Sequence, residues 1–140
     1  MKLGAKHYQE LAGFRLALRR FLAASEAISR SGGITQQQYQ ALLAIMTWPS
    51  QIMNMGDLAD QLLLTHHATV QLVNRLVRAG LAERTPSLVD RRCVVLKLTP
   101  VAEELVSRLA AQHLEEMQRL EPPLSHSLRR LRRLSAAASA

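Results

Sequence analysis

The sequence predicts a mainly α fold, α+β in class, in which helices surround a single β-hairpin. Three observations carry this. Apolar residues recur at alternating three- and four-residue spacing towards both ends of the chain, two capped helices meet at a very short turn in its middle, and the period changes to two near residue 95. At 140 residues the chain fits one domain, 1–140, with enough apolar residues for a real core.

Taken in order, Leu11, Phe14, Leu18, Phe21, Ser25 and Ile28 form the seam of a long first helix, with Ser25 its one polar interruption. Ser31-Gly32-Gly33 ends it. Thr35, with Gln38 three residues on, reads as a capping box opening a second helix to about Thr47, which Pro49-Ser50 closes. Gly56 to Leu64 reads as a short helix with Leu58, Ala59, Leu62 and Leu63 available for burial, and Thr65 caps the next, up to Gly80. In that helix Thr69, Leu72, Val73 and Leu76 form the inward stripe, leaving His66, His67, Val70, Gln71, Asn74, Arg75 and Arg78 wholly or partly outward.

From Leu81 the pattern is extended: LAERT, a loop over 86–91, then RCVVLKL with Val94, Leu96 and Leu98 alternating, a hairpin with a basic tip. Thr99-Pro100 suits the cap and first position of a further helix, with Val101, Leu105, Leu109, Met117 and Leu120 on one face as far as a break at Pro122-Pro123. A last amphipathic helix follows, with Leu124, Leu128, Leu131 and Leu134 on one side.

The net charge of +7 and pI near 10.7 favour a polyanionic partner, and the charge is unevenly placed. Residues 35–65 hold Asp57 and Asp60 and no Lys or Arg, whereas residues 66–97 carry Arg75, Arg78, Arg84, Arg91, Arg92 and Lys97 against only Glu83 and Asp90. A helix with a polar, basic outward face, preceded by a short turn and followed by a basic-tipped hairpin, is what reading double-stranded DNA requires. The major groove admits one helix, and a flanking loop reaches backbone or minor groove. On that helix His67 and Gln71 are the expected base readers, with His66, Asn74 and Arg75 placed toward phosphate and Thr65 at its head. Thr35 and Gln36 open a helix N-terminus that suits a phosphate. His66 and His67 point about 100° apart, so they do not form a two-histidine metal site.

The run GDLADQLLLTHHATVQLVNRLVRAGLAERTPSLVDRRCVVLKLT resembles the helix-turn-helix and wing of MarR (multiple antibiotic resistance regulator) proteins. DRRCVVLKLT matches their D-x-R-x-x-x-V-x-L-T pattern at Asp90, Arg92, Leu96, Leu98 and Thr99, with Leu96 where valine is usual and Ala102 where glycine follows. The resemblance covers roughly residues 8–134. It implies a winged helix-turn-helix lobe over about 35–99 and N- and C-terminal dimerisation helices over about 5–31 and 100–135. It further implies a homodimer on a near-palindromic operator, and a repressor released by a small aromatic or phenolic ligand. By the same resemblance Asp90 holds the wing while Arg91 and Arg92 reach the minor groove or its phosphates. A ligand cleft would be lined by Phe14, Arg15 and Leu18 with Met46, Trp48, Met53 and Met55, Arg15 pairing a carboxylate.

Other classes find less support. Cys93 is the only cysteine, which excludes an intramolecular disulfide and a cysteine-rich metal site, and nothing nearby resolves a redox switch. There is no Gly-rich phosphate loop, nucleophile motif or supported carboxylate pair, so neither catalysis nor a cofactor is expected. His113 lies near the apolar side of its helix and reads as a satisfied core histidine. No membrane-spanning run and no apolar leader block are visible, which points to a cytoplasmic protein without a membrane partner. The competing reading is a basic helical interaction module in which LRRLRRL, residues 128–134, meets an acidic protein or membrane surface.

Overall fold

The computed structural model describes residues 1–90 and 92–139. Among these, the element order is α1 (Ala5–Ser31), α2 (Gln36–Thr47), α3 (Met55–Leu62), α4 (His66–Arg78), β1 (Ala82–Pro86), β2 (Val94–Leu98) and α5 (Pro100–Ser139). This is the mainly α architecture with one hairpin that the sequence predicts. The chain divides into two units: residues 29–110, here the winged lobe, and residues 1–28 with 111–140, here the helical unit.

In the winged lobe, local chemistry starts each helix. Thr35 caps α2 in a full capping box, accepting from the Gln38 N–H while the Gln38 side chain accepts from the Thr35 N–H. Asn54 and Asp57 form a second box, which starts α3 one residue before the Gly56 that the sequence reading marks. α3 ends as Leu63 turns left-handed at φ 54°, its N–H and that of Leu64 closing on Ala59 and Asp60 carbonyls. Leu63 is therefore 92% exposed, contrary to the burial expected of it, because the αL turn swings its side chain off the apolar face of α3. Thr65 follows at once, its hydroxyl accepting from Ala68 N–H to begin α4.

The lobe's core is built from Tyr39, Leu42 and Ile45 of α2, Met53, Leu58 and Ala59, the α4 stripe Thr69, Leu72, Val73 and Leu76, and Leu81, Leu96, Ala102, Val106 and Leu109. All four residues of the expected α4 stripe are buried. β1 and β2 pair antiparallel with Ala82 opposite Leu98 and Pro86 opposite Val94. Met53 adds a bridge on the other edge of β2, its carbonyl accepting from Leu96 N–H at 2.8 Å. Val95 and Leu96 are both buried while Val94 is 41% exposed, so the alternation expected of Val94, Leu96 and Leu98 holds at Leu96 and fails at the tip. Thr99 seals the junction with α5: its hydroxyl donates to Gly80 O at 2.7 Å and accepts from Ala102 N–H. Where α1 ends, Gly32 admits the Leu109 methyls, which an added Cβ would meet at 2.9 Å.

In the helical unit α1 and α5 run antiparallel, tied by Ser25 Oγ to His113 Nε2 at 2.9 Å and by Arg130 Nε to Glu10 at 2.9 Å. Ser25 and His113 are buried, so the one polar break in the α1 seam meets the core histidine. The seam of α1 lies on Phe14, Ala17, Phe21, Ser25 and Ile28; Leu11 and Leu18, expected in it, are 45% and 39% exposed. Along α5 the covered positions are Ala102, Val106, Leu109, His113, Leu120, Leu124, Ser127, Leu131 and Leu134, whereas Val101 and Met117 turn out to solvent.

The break expected at Pro122-Pro123 does not occur; α5 is one 40-residue helix. The two prolines forfeit the N–H bonds to Gln118 and Arg119 and crowd those carbonyls, but their fixed φ is helical and the three-and-four spacing of covered residues passes through them without a change of phase.

Two consequences are measurable by urea unfolding. Leu63→Gly removes the αL penalty of an exposed side chain and is expected to raise stability by roughly 0.5–1 kcal/mol, against the usual direction for glycine. A double-mutant cycle over Ser25→Ala and His113→Ala is expected to give a coupling of about 1 kcal/mol; additive single effects would contradict the packed hydrogen bond.

Candidate nucleic-acid interface

The side of α4 opposite its buried stripe is open. His66, His67, Gln71, Arg75 and Arg78 are exposed and Val70 and Asn74 half-buried, the division the sequence predicts. The geometry follows from the helix itself: with Thr69, Leu72, Val73 and Leu76 fixed in the core, residues 67, 71 and 75 fall on one outward line. Thr65, at the head of that line, spends its hydroxyl on the cap, so the free donors there are the backbone N–H groups of the first turn. The helix is amphipathic without an acidic residue in its first turn, and its last turn carries Arg75 and Arg78.

The hairpin is attached to this face. Arg84 on β1 donates a hydrogen bond to Asn74 Oδ1 on α4, joining wing and helix within the lobe. Sequence reading places Asn74 toward phosphate and counts Arg84 only as charge. The structure makes Asn74 an acceptor for the wing, and a contact between residues ten apart in chain order leaves no local signal from which to read it.

At the wing tip Asp90 is the organiser. Its carboxylate accepts from Arg92 N–H at 3.0 Å and Arg92 Nε at 3.4 Å, and its carbonyl accepts from Cys93 N–H at 2.9 Å. Asp90, expected to hold the wing, thus bonds to both Arg92 and Cys93 within the tip. Arg92 keeps 92% of its side chain exposed beyond this contact. Arg91 lies outside the described residues. Cys93 is a free, exposed thiol with Sγ 3.8 Å from Asp90 Oδ2.

Thr35 and Gln36 sit at the N-terminus of α2, as expected. The Thr35 hydroxyl serves the capping box, and Gln36 is half-buried with its Oε1 enclosed and unpartnered among the described residues. The residues expected around a ligand divide between the units. Phe14, Arg15 and Leu18 lie on α1 in the helical unit, Phe14 half-buried in its seam and Arg15 exposed. In the winged lobe Trp48 and Met55 are half-buried, and Met53 is wholly buried behind β2. Met46 lines a cleft of about 280 Å³ with Ile45, Gln51, Leu96, Lys97, Leu98 and Glu103. Among the described residues no three His, Cys, Asp or Glu side chains gather as metal ligands, and no helix is long and apolar enough to cross a membrane.

A sequence profile of the MarR family matches residues 32–92, which span α2, the helix-turn-helix and the wing tip. No curated protein matches the chain in sequence. Solved structures of the same fold are numerous. AbsC, a MarR family transcriptional regulator from Streptomyces coelicolor, superposes with a TM-score of 0.77, with 21% identity over 86% of this chain and 81% of its own. MepR, a transcription regulator of the Staphylococcus aureus multidrug efflux pump MepA, superposes at 0.71 with 20% identity, covering 90% of this chain and 93% of its own. The S. aureus MepR–DNA complex superposes at 0.64 with 21% identity, over 90% of this chain and 93% of that one. At one-fifth identity these likenesses establish the fold: the chain has the winged-helix fold of the solved MarR regulators, and its residues 32–92 match the MarR family profile.

Proposed function

We propose that the protein is a transcription regulator of the MarR type that binds duplex DNA as a homodimer and represses from a near-palindromic operator. The observation that carries this is the face of α4: an outward line of His67, Gln71 and Arg75 on a helix locked from behind by the lobe's core, with the wing tied to it through Arg84 and Asn74. A structure of MepR bound to DNA, in the same fold, supports the reading.

In this reading α4 enters the major groove. His67 and Gln71 meet base edges, His66 and Arg75 meet phosphate, and the first-turn N–H groups behind Thr65 add a helix-terminal phosphate site. Thr35 and Gln36 offer the N-terminus of α2 to the backbone. Arg91 and Arg92 reach the minor groove, where a narrow A·T tract concentrates negative potential. The chemistry is recognition, without catalysis.

The dimer rests on apolar surface that the single chain leaves open. α1 exposes Tyr8, Leu11, Leu18 and Leu22, and α5 exposes Leu114, Met117 and Leu128. A second copy burying these stripes removes them from water and sets two α4 helices about 34 Å apart, one helical turn of DNA. Release by a small aromatic or phenolic effector is a shift toward a conformation that binds DNA less well. The site of action is the cytoplasm.

Two measurements test this. Light scattering at micromolar concentration is expected to give twice the 15.6 kDa of the chain; a monomer refutes the dimer. In a salt titration, Arg92→Ala is expected to weaken binding and lower the slope of log affinity against log salt by about one per protomer, with an unchanged unfolding midpoint. Unaltered affinity and slope would remove the wing arginine from the interface.

A further inference from the structure

The apex of the wing carries two aliphatic side chains in water. Leu88 is 103% and Val89 88% exposed. They do not belong to a slack loop. Ser87 is buried, its Oγ accepts from the N–H groups of Val89 at 3.2 Å and Asp90 at 3.3 Å, and its own N–H donates to Cys93 O at 2.9 Å. With Cys93 N–H on Asp90 O and Arg92 N–H on the Asp90 carboxylate, the turn directs these polar groups inward and holds Leu88 and Val89 at its end.

Turn apices are ordinarily built from Gly, Asn, Asp or Ser, which hydrate well and adopt turn geometry easily. Leu and Val bring neither property. Both remain hydrated within this chain, so their packing return has to come from another molecule. The surroundings name the class of that molecule. Arg92, Arg84 and Lys97 are exposed on the same hairpin against two acids, Glu83 opposite Lys97 and Asp90, which Arg92 already engages, so with Arg91 in the sequence the hairpin keeps a net positive charge. A cationic hairpin with an apolar apex, fixed to α4 through Arg84 and Asn74, is matched by a minor groove: phosphates along both rims and a floor of sugar carbons and base edges.

We propose that Leu88 and Val89 enter the minor groove ahead of Arg92 and wedge against a base step, opening it and bending the duplex toward the major groove. This rests on the DNA-binding reading above and deepens it. The pair reads deformability rather than hydrogen-bonding pattern, so it favours a flexible pyrimidine–purine step, TA or CA, at the position under the wing. Sequence preference then extends to a step at which no polar side chain contacts a base.

The experiment uses the full chain and duplexes that the wild-type protein enriches from a random pool. Affinity, salt slope and end-to-end fluorescence transfer, as a measure of bending, are compared for wild type, Leu88→Ser/Val89→Ser and Arg92→Ala. Both apex residues lie outside the core, so the unfolding midpoint should not move. The double variant is expected to lose roughly tenfold or more in affinity, to bend DNA less, and to keep the wild-type salt slope, whereas Arg92→Ala lowers the slope. Enriched sites are expected to carry TA or CA at the wing position, and replacing that step by GG should reduce wild-type affinity but not that of the double variant. If the double variant binds and bends within twofold of wild type, the wedge is overturned and the regulator reading stands. If the wild type enriches no duplex, the regulator reading itself falls.

Discussion

The turn between α3 and α4 is the constraint on which the winged lobe depends. Leu63 takes a left-handed conformation that a side chain disfavours by about 1–2 kcal/mol, and Thr65 restarts a helix two residues later. A longer connection would hold α4 across α3 at a greater cost, since each added loop residue must be ordered at a backbone entropy of about 1–2 kcal/mol. The strain is held because Leu58, Ala59, Thr69, Leu72 and Val73 are buried on either side of the turn. Once that core closes, the outward line of α4 is fixed, and with it the residues able to meet a ligand in a groove.

The hairpin is positioned by a second set of contacts that differ in kind. Met53 pairs with Leu96 through the backbone, Thr99 closes on Gly80 and Leu81, and Arg84 reaches Asn74. A two-stranded ribbon is marginal by itself, so these anchors on its base, edge and outer strand are what make its tip a defined surface. In the helical unit the corresponding device is polar and buried. Ser25 and His113 meet at 2.9 Å between two long helices whose other seam residues, Ser127 apart, are aliphatics and phenylalanines. A slide by one turn would separate them and leave two buried polar groups to find new partners, which fixes the register of α1 against α5.

What the sequence made legible were the features decided within a few residues. The caps at Thr35 and Thr65, the glycine after α4, the buried stripe of α4 and the satisfied histidine at 113 each depend on neighbours along one helix or on an unmistakable polar interruption. The box at Asn54 and Asp57 carries the same local signal, one residue ahead of the start that Gly56 suggests. Other features were decided at a distance. The bond between Arg84 and Asn74 joins elements that no periodicity relates, and the burial of Val95 beside Leu96 reflects the lobe around the hairpin rather than strand alternation. The doublet Pro122-Pro123 reads as a stop because each proline forfeits a helical bond; the helix continues because the apolar face on both sides keeps one phase.

The displaced seam of α1 is the most informative of these differences. Its apolar residues form two stripes roughly 100° apart around the helix, and periodicity alone reports their sum. One stripe, through Phe14, Ala17, Phe21 and Ile28, is covered by α5 in the same chain; the other, through Tyr8, Leu11, Leu18 and Leu22, is open. A solitary amphipathic helix in a two-helix pair needs only the first. α5 repeats the pattern, with Leu114, Met117 and Leu128 exposed beside a covered His113, Leu120 and Leu124. Two helices that each carry a second apolar stripe on the same unit have the composition of a bundle larger than one chain supplies. The shared surplus favours an isologous partner, because a second copy brings stripes of the same length and spacing.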